Sequence, residues 1–158
     1  MCIRDRFTNE PRKEAHDWLA RHGLQLCRRA LADGRRITLF GWAAGTPEPE
    51  AWHTAAAREL LDLCRRYPDR LAIALNEYSY RADTLDGPAL IGRWQAIPKP
   101  WPAILITEHG WAYDSAPAAG TGIPQLLETY RKWYAYPHIK GLAPVSYTHL
   151  TLPTKRIV

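Results

Sequence analysis

Short apolar runs recur along the chain at nearly constant intervals and predict a set of buried strands. Four such runs are four or five residues long and mostly lack an alternation of apolar and polar positions, which is typical of parallel strands covered on both faces. The runs are Ile37–Phe40, Leu71–Leu75, Ala103–Thr107 and Ile139–Leu142. Their ends are separated by 35, 32 and 35 residues, and one more step of similar size places the end of a fifth strand near residue 8.

Amphipathic segments occupy the intervals between these runs and predict three helices. Their apolar residues follow the i, i+3, i+4, i+7 spacing of one helical face. The three predicted apolar faces are Ala15, Trp18, Leu19, His22 and Leu26; Ala56, Leu60, Leu63, Cys64 and Tyr67; and Ile123, Leu126, Leu127, Tyr130 and Tyr134. A shorter helix candidate, Gly87 to Ile97, precedes the helix-breaking segment Pro98-Lys99-Pro100.

The alternation of strands and helices predicts an α/β fold. A repeat of more than 30 residues per strand and helix is typical of βαβ units, in which consecutive strands are parallel. A doubly wound sheet and a closed (β/α)8 barrel both fit this repeat length. The spacing of the elements therefore leaves the choice between these two architectures open.

Carboxylate and aromatic side chains follow directly after the predicted strands. These strand ends carry Asn9-Glu10, Trp42, Asn76-Glu77-Tyr78 and Glu108-His109-Gly110-Trp111. In a (β/α)8 barrel the carboxyl ends of all strands meet at one rim, where the active site lies. Two carboxyl groups at such a rim can cleave a glycosidic bond, because one protonates the leaving oxygen while the other attacks or activates water.

Two of these strand ends resemble motifs of clan A glycoside hydrolases. Phe7-Thr8-Asn9-Glu10-Pro11 is similar to the Asn-Glu-Pro segment that ends strand four in that clan and carries the acid/base glutamate. Ile104 to Trp111 is similar to the strand-seven segment that carries the nucleophile. The 98 residues that separate Glu10 from Glu108 span three repeats, as strands four and seven require. The resemblance covers residues 7–143 and implies a partial (β/α)8 TIM barrel of about five parallel strands.

The resemblance also implies a role for each residue. Glu108 would be the nucleophile and Glu10 the acid/base of a retaining glycoside hydrolase that acts on β-linked glycans by double displacement. Asn9 would bind the 2-hydroxyl of the sugar. Tyr78 stands where a strand-six tyrosine of the clan hydrogen-bonds the nucleophile, and Tyr80 is the alternative for that role. A catalytically inactive carbohydrate-binding barrel is the alternative function.

Several further residues are predicted to contact substrate. Asn76-Glu77 has the same two residue types as the acid/base motif, but only 31 residues separate Glu77 from Glu108. This single repeat places Glu77 on the adjacent strand, so it is the lesser acid/base candidate and is expected to line the sugar cleft. The remaining predicted contacts are Trp42, His109 and Trp111. For both tryptophans, packing in the core or at the rim is the alternative.

The two ends of the chain resemble translated sequencing-adapter DNA. One back-translation of Met1 to Asp5, read as its reverse complement, encodes Val145 to His149. The resemblance to adapter DNA lies in residues 1–6 and 145–158. We therefore interpret residues 1–6 and 144–158 as artefact. Residues 7–143 are interpreted as the carboxyl-terminal part of a glycoside hydrolase barrel from a metagenomic read. A barrel without its first strands leaves exposed strand edges, so we expect this piece to be inactive by itself.

The composition of the chain limits the kinds of partner that we expect it to bind. The formal net charge is +5 and falls to +2 without the two ends, which gives little reason to expect nucleic acid or an acidic membrane as a partner. No apolar run reaches the roughly 20 residues of a spanning helix. The histidines lack metal-ligand spacing, so we expect no metal, and the proposed chemistry of two carboxylates needs no cofactor. The resemblance implies an oligo- or polysaccharide substrate. Cys27 and Cys64 are expected to be small buried residues. The oligomeric state and the compartment stay open.

Overall fold

The computed structural model describes residues 15–81, 91–111 and 116–144. The helices within these ranges are α1 (His16–Ala32), α2 (Ala55–Arg66) and α3 (Ala119–Tyr134), and short 3-10 helices span Pro49–His53 and Arg93–Ala96. The strands are β1 (Ile37–Trp42), β2 (Leu71–Ser79), β3 (Ile104–Trp111) and β4 (Ile139–Pro144). The predicted α/β class is therefore confirmed for the described part of the chain. None of the helices described there has the length and apolar composition needed to cross a membrane.

All four strands are parallel and form one sheet in the order β1-β2-β3-β4. Each strand is thus added to the sheet on the same side as the one before it. The four predicted strands are confirmed, and each continues two to four residues past its predicted end. The fifth strand expected near residue 8 lies outside the described residues. Of the candidate helix Gly87 to Ile97, the described part contains only the 3-10 turn Arg93–Ala96.

The hydrophobic core lies between the helices and one face of the sheet. The strand residues that point into it are Leu39, Ile73, Leu75, Ile104 and Ile106, each at most 5 % exposed. Burial of one such side chain contributes about 1.5–3 kcal/mol relative to leaving it in water. Cys27 on α1 and Cys64 on α2 lie in this layer as buried free thiols, as predicted.

The opposite face of the sheet is open. It borders a cavity of about 720 Å³ near the beginnings of the strands. The strand residues that line this cavity include Thr38, Ala72, Leu105, Thr107 and Lys140. Apart from Leu105, these side chains are shorter or more polar than those on the core face, so the two faces of the sheet differ in chemistry.

The buried face of α1 differs from the predicted one. Trp18 is 62 % exposed and His22 is also exposed, whereas Gly23 is buried against the sheet. A Cβ atom at Gly23 would lie 3.2 Å from Leu39 Cδ1 and 3.4 Å from Leu60 Cδ2. The helix therefore approaches the sheet closely at Gly23, and the prediction that Trp18 and His22 face the core is wrong.

A similar rotation separates the predicted and observed faces of α3. Leu126 and Trp133 are buried as part of the contact face, together with Thr129. Ile123, Leu127 and Tyr134 are 52 %, 54 % and 75 % exposed, so the prediction that they face the core is wrong. Tyr67, which was expected on the apolar face of α2, follows that helix and is 44 % exposed. The large side chains of Ile123, Leu127 and Tyr134 outweighed Thr129 in the periodicity, although of these four residues only Thr129 has a buried position.

Candidate functional site

An irregularity in the pairing of β2 and β3 decides which side chains share a face. Leu75 pairs with Ile106, whereas the next residue, Asn76, pairs with Glu108. Thr107 is therefore an extra residue in β3, as in a β-bulge, which changes the direction of the side chains that follow it. Since paired residues on parallel strands point to the same face, Asn76 and Glu108 lie on the open face, and Glu77 lies on the core face.

Tyr78 and Glu108 meet at the carboxyl ends of these two strands. The Tyr78 hydroxyl donates a hydrogen bond of 2.8 Å to Oε2 of Glu108. Tyr78 pairs with Gly110, and because glycine has no side chain the phenol ring can lean along β3 towards the carboxylate. Both side chains are half-buried. Tyr80, the alternative predicted partner of Glu108, follows β2 and is 67 % exposed.

A chain of hydrogen bonds joins the carboxyl ends of three strands beside this pair. The Thr107 hydroxyl donates to Oδ1 of Asn76 at 2.9 Å, and Nδ2 of Asn76 donates to the carbonyl oxygen of Gly41 at 3.3 Å. Thr107 was not predicted as a site residue, because a bulge leaves no mark in the apolar pattern. The network fixes the backbone from which Glu108 projects.

The end of β1 has an unusual backbone. Phe40 has a φ of 84° and Gly41 a φ of 71°. A positive φ is an outlier for a bulky residue such as phenylalanine and costs about 1–3 kcal/mol, and such strain is concentrated at functional sites. The hydrogen bond from Asn76 to Gly41 holds this segment against β2.

Glu77 lies on the core face and is fully buried. Its exposure is 0 %, and its Oε2 accepts a hydrogen bond of 3.0 Å from the backbone N–H of Gly92. Burial raises the pKa of this carboxyl to about 7, while the Gly92 hydrogen bond and the positive charge of Arg93 act in the opposite direction. The expectation that Glu77 lines an open cleft is therefore not met, because it faces the start of the 3-10 helix Arg93–Ala96.

Arg93 extends this buried polar group towards the end of β1. Arg93 is 3 % exposed, and its Nη2 donates a hydrogen bond of 2.5 Å to the carbonyl oxygen of Pro47. Burial lowers the pKa of Arg93, whereas the charges of Glu77 and Glu48 act to raise it. Glu77 and Arg93 together tie the segment that follows β1 to the segment that follows β2.

The three aromatic or imidazole side chains predicted to contact sugar are all buried. Trp42 is 3 % exposed and stacks on Phe40 with 4.0 Å between ring centroids. Trp111 is also 3 % exposed, and its indole N–H donates to Oε1 of Gln125 at 3.0 Å. His109 is 0 % exposed, with its ring 5.7 Å from that of Trp133. The packing alternative describes both tryptophans, because these positions fall on the core face of their strands.

The remaining predicted residues, Asn9 and Glu10, lie outside the described residues. The distance between the carboxyl groups of Glu10 and Glu108 stays a prediction. In the part of the chain that is described, no group of three or more His, Cys, Asp or Glu side chains could hold a metal ion. The described candidate site thus consists of Glu108 and Tyr78 on the open face, supported by Asn76 and Thr107.

No protein-family model matches the chain, and no curated protein or solved structure is significantly similar to it. What the protein does must therefore be inferred from its own residues.

Proposed function

We propose that this chain forms strands four to eight of a (β/α)8 barrel. The order of the strands supports this proposal. The four described strands follow one another across the sheet in chain order, with no reversal among them. A doubly wound sheet reverses its strand order at the point where ligands bind, whereas a barrel adds each strand beside the last. In this assignment β1 to β4 are barrel strands five to eight.

The proposed activity is retaining hydrolysis of β-linked glycans, with Glu108 as the nucleophile. The observation that carries this proposal is the 2.8 Å hydrogen bond from Tyr78 to Glu108 at the carboxyl ends of adjacent strands. A donor on one oxygen of a carboxylate fixes its orientation and favours its charged form, which is the form that attacks. The position at the strand ends agrees with the resemblance of Ile104 to Trp111 to a nucleophile-bearing strand.

The proposed reaction has two displacements. In the first, a Glu108 oxygen bonds to the anomeric carbon while Glu10 gives its proton to the departing glycosidic oxygen, so the glycosidic bond breaks and a glycosyl ester forms. In the second, Glu10 takes a proton from water, the resulting hydroxide oxygen bonds to the anomeric carbon, and the ester bond breaks. Glu108 is restored as a carboxylate, Glu10 as an acid, and the sugar keeps its anomeric configuration. The cycle uses no metal or cofactor.

The burial of Glu77 supports Glu10 as the acid/base. A general acid must lie within hydrogen-bond reach of the substrate oxygen that it protonates. The carboxyl group of Glu77 is 0 % exposed and bonded to Gly92, so a substrate on the open face does not contact it. The raised pKa of Glu77 has a structural cause, namely burial against the 3-10 helix.

The test is to trap the covalent intermediate on the intact enzyme that contains these residues. A 2-deoxy-2-fluoro glycoside with a good leaving group slows both steps, because the fluorine destabilises the positive charge at the anomeric carbon. We expect one fluorosugar on the peptide that contains Glu108, located by mass spectrometry, and none on the Glu108→Gln variant. A label on Glu77, or undiminished turnover by Glu108→Gln, would falsify the assignment.

Two further outcomes decide between the functions. Oligosaccharide binding without turnover or labelling would favour an inactive carbohydrate-binding barrel. A separation of the Glu10 and Glu108 carboxyl groups of about 5–5.5 Å in a crystal structure of the intact enzyme is the value expected for retention, against about 6.5–9.5 Å for inversion.

A further inference from the structure

The outer surface of the molecule has a groove between α1 and α2 that contains an exposed tryptophan. Trp18 is 62 % exposed, and its ring is parallel to that of His22, with 5.4 Å between the centroids and 1° between the planes. Beside this pair lies a cavity of about 470 Å³, which is within the range of small-molecule sites. The other residues that line it are Arg21, Leu24, Gln25, Arg28, Ala55, Ala56 and Glu59.

The groove lies towards the same end of the sheet as Glu108. Trp18 is in the first turn of α1, and the adjacent His16 ring is 6.1 Å from the ring of Trp42 at the carboxyl end of β1. Because the strands are parallel, this end of the sheet also carries the Tyr78–Glu108 pair. A long ligand that leaves the open face at this end could therefore continue along the outside of α1.

The charged side chains of the groove are paired. Arg28 and Glu59 form an ion pair between α1 and α2, and their side chains are 51 % and 55 % exposed. Arg21 forms an ion pair with Asp17 at 2.8 Å. Since each arginine has a carboxylate partner, the groove has little net charge to attract an anionic ligand. Its exposed N–H groups and carboxylate oxygens can instead hydrogen-bond the hydroxyl groups of a neutral ligand.

We propose that this groove is a second carbohydrate-binding site, outside the cleft of Glu108. Trp18, whose indole ring is held in place by stacking on His22, would stack on the C–H face of one sugar ring. Gln25, Arg28 and Glu59 would bind the hydroxyl groups of that sugar. The site takes one or two rings of a neutral oligosaccharide. The choice of β-linked sugars as its ligands rests on the proposed glycosidase function.

The experiment measures binding of β-1,4-linked gluco-, xylo- and manno-hexasaccharides to the full 158-residue chain by isothermal titration calorimetry. We expect one of the three to bind, and Trp18→Ala to weaken that binding at least tenfold. Trp18→Phe keeps a flat ring and should weaken it less. The matched control is Tyr134→Ala, which removes a 75 % exposed aromatic ring from α3 and should change the affinity less than twofold. Circular dichroism checks that each variant is folded.

Each other outcome overturns the proposal. Binding that is equal in Trp18→Ala and the unchanged chain, or no binding of any hexasaccharide, excludes this sugar site. An equal loss in Tyr134→Ala shows a nonspecific aromatic effect. Self-association that disappears in Trp18→Ala identifies a second copy of the chain as the occupant instead. Failure of the glycosidase proposal is distinguishable, because an enzyme that takes no fluorosugar label at Glu108 can still bind a hexasaccharide through Trp18.

Discussion

The phenol oxygen of Tyr78 lies 2.8 Å from Oε2 of Glu108, although 30 residues separate the two in the chain. Each side chain projects from the carboxyl end of its strand, and the strands are adjacent and parallel. A hydrogen bond to a charged group contributes about 1.5–3 kcal/mol. The bond therefore sets the orientation of the carboxylate with an energy well above thermal motion.

Removal of that hydroxyl should slow catalysis without unfolding the protein. In the intact enzyme, Tyr78→Phe is expected to lower kcat/KM by about tenfold to hundredfold, which corresponds to the loss of one hydrogen bond to a charged group. Steady-state kinetics on an aryl glycoside would measure the effect. The control is Tyr80→Phe, in a side chain that is 67 % exposed, with kinetics close to those of the unchanged enzyme. The opposite ranking of the two variants would assign the role to Tyr80.

Glu77 should make the stability of the fold depend on pH. Its ordinary pKa is 4.5, and burial raises the pKa to about 7 in the folded chain. Between these values the folded state holds a proton that the unfolded state has released, so the free energy of unfolding falls as the pH rises from about 5 to 8. This contribution amounts to about 2–3 kcal/mol.

The variant Glu77→Gln keeps a hydrogen-bond acceptor for Gly92 but has no proton to lose. Urea unfolding of both proteins at pH 5 and pH 8 should show that the variant lacks this fall in stability. Glu128→Gln, in a side chain that is 45 % exposed, serves as the control and should retain the fall. Parallel pH dependence in Glu77→Gln and the unchanged chain would show that Glu77 does not titrate in this window.

Trp42 should behave as a core residue. It is 3 % exposed and packs against Phe40 and Trp52, so Trp42→Ala is expected to lower the free energy of unfolding by about 3–5 kcal/mol. Thermal and urea unfolding would measure the loss. Trp18→Ala, which removes a 62 % exposed ring, should lower stability by less than about 1 kcal/mol. A stable Trp42→Ala protein with impaired sugar binding would instead support the predicted contact of Trp42 with substrate.

The left-handed backbone at Gly92 should not tolerate a side chain. Gly92 has a φ of 79°, and its N–H is the donor to Glu77. Gly92→Ala is expected to cost about 1–2 kcal/mol, because a Cβ atom crowds the following carbonyl oxygen in this conformation. Gly120→Ala is the matched control, since a Cβ atom there meets nothing within 4 Å and lies in α3. It should be neutral or stabilise the chain by up to about 1 kcal/mol. Equal losses in urea unfolding would contradict this explanation.

The strands could be predicted from the sequence because uninterrupted apolar runs such as Leu71–Leu75, whose five residues are all buried, are typical of parallel strands. The helical faces were harder to predict, since contact with the sheet is decided by close approach at Gly23 rather than by the size of Trp18. Periodicity weights large apolar side chains, but a helix can approach a strand closely only where its own side chain is small.

The candidate site was partly predictable for a related reason. Carboxylates after strands can be found in the sequence, and Glu77 and Glu108 both follow apolar runs. Successive side chains of a strand point to alternate faces of the sheet, so the position of each glutamate in its strand decides which face it lies on. The extra residue Thr107 shifts this alternation in β3. The face of Trp111 was hard to predict for the same reason, because alternation along β3 assigns it to a face only when the bulge is known. Trp42 follows a separate irregularity in β1, between Phe40 and Trp42.

Thr107 has a consequence for electrostatics. If β2 and β3 paired without this bulge, Thr107 would stand opposite Asn76, and Glu108 would stand opposite Glu77. Two carboxylates would then be neighbours in an apolar layer, where like charges repel strongly and neither readily ionises. The register shift at Thr107 places the two acids on opposite faces of the sheet. A single irregularity in strand pairing thus places two chemically identical side chains in different environments, one fully buried and the other in partial contact with water.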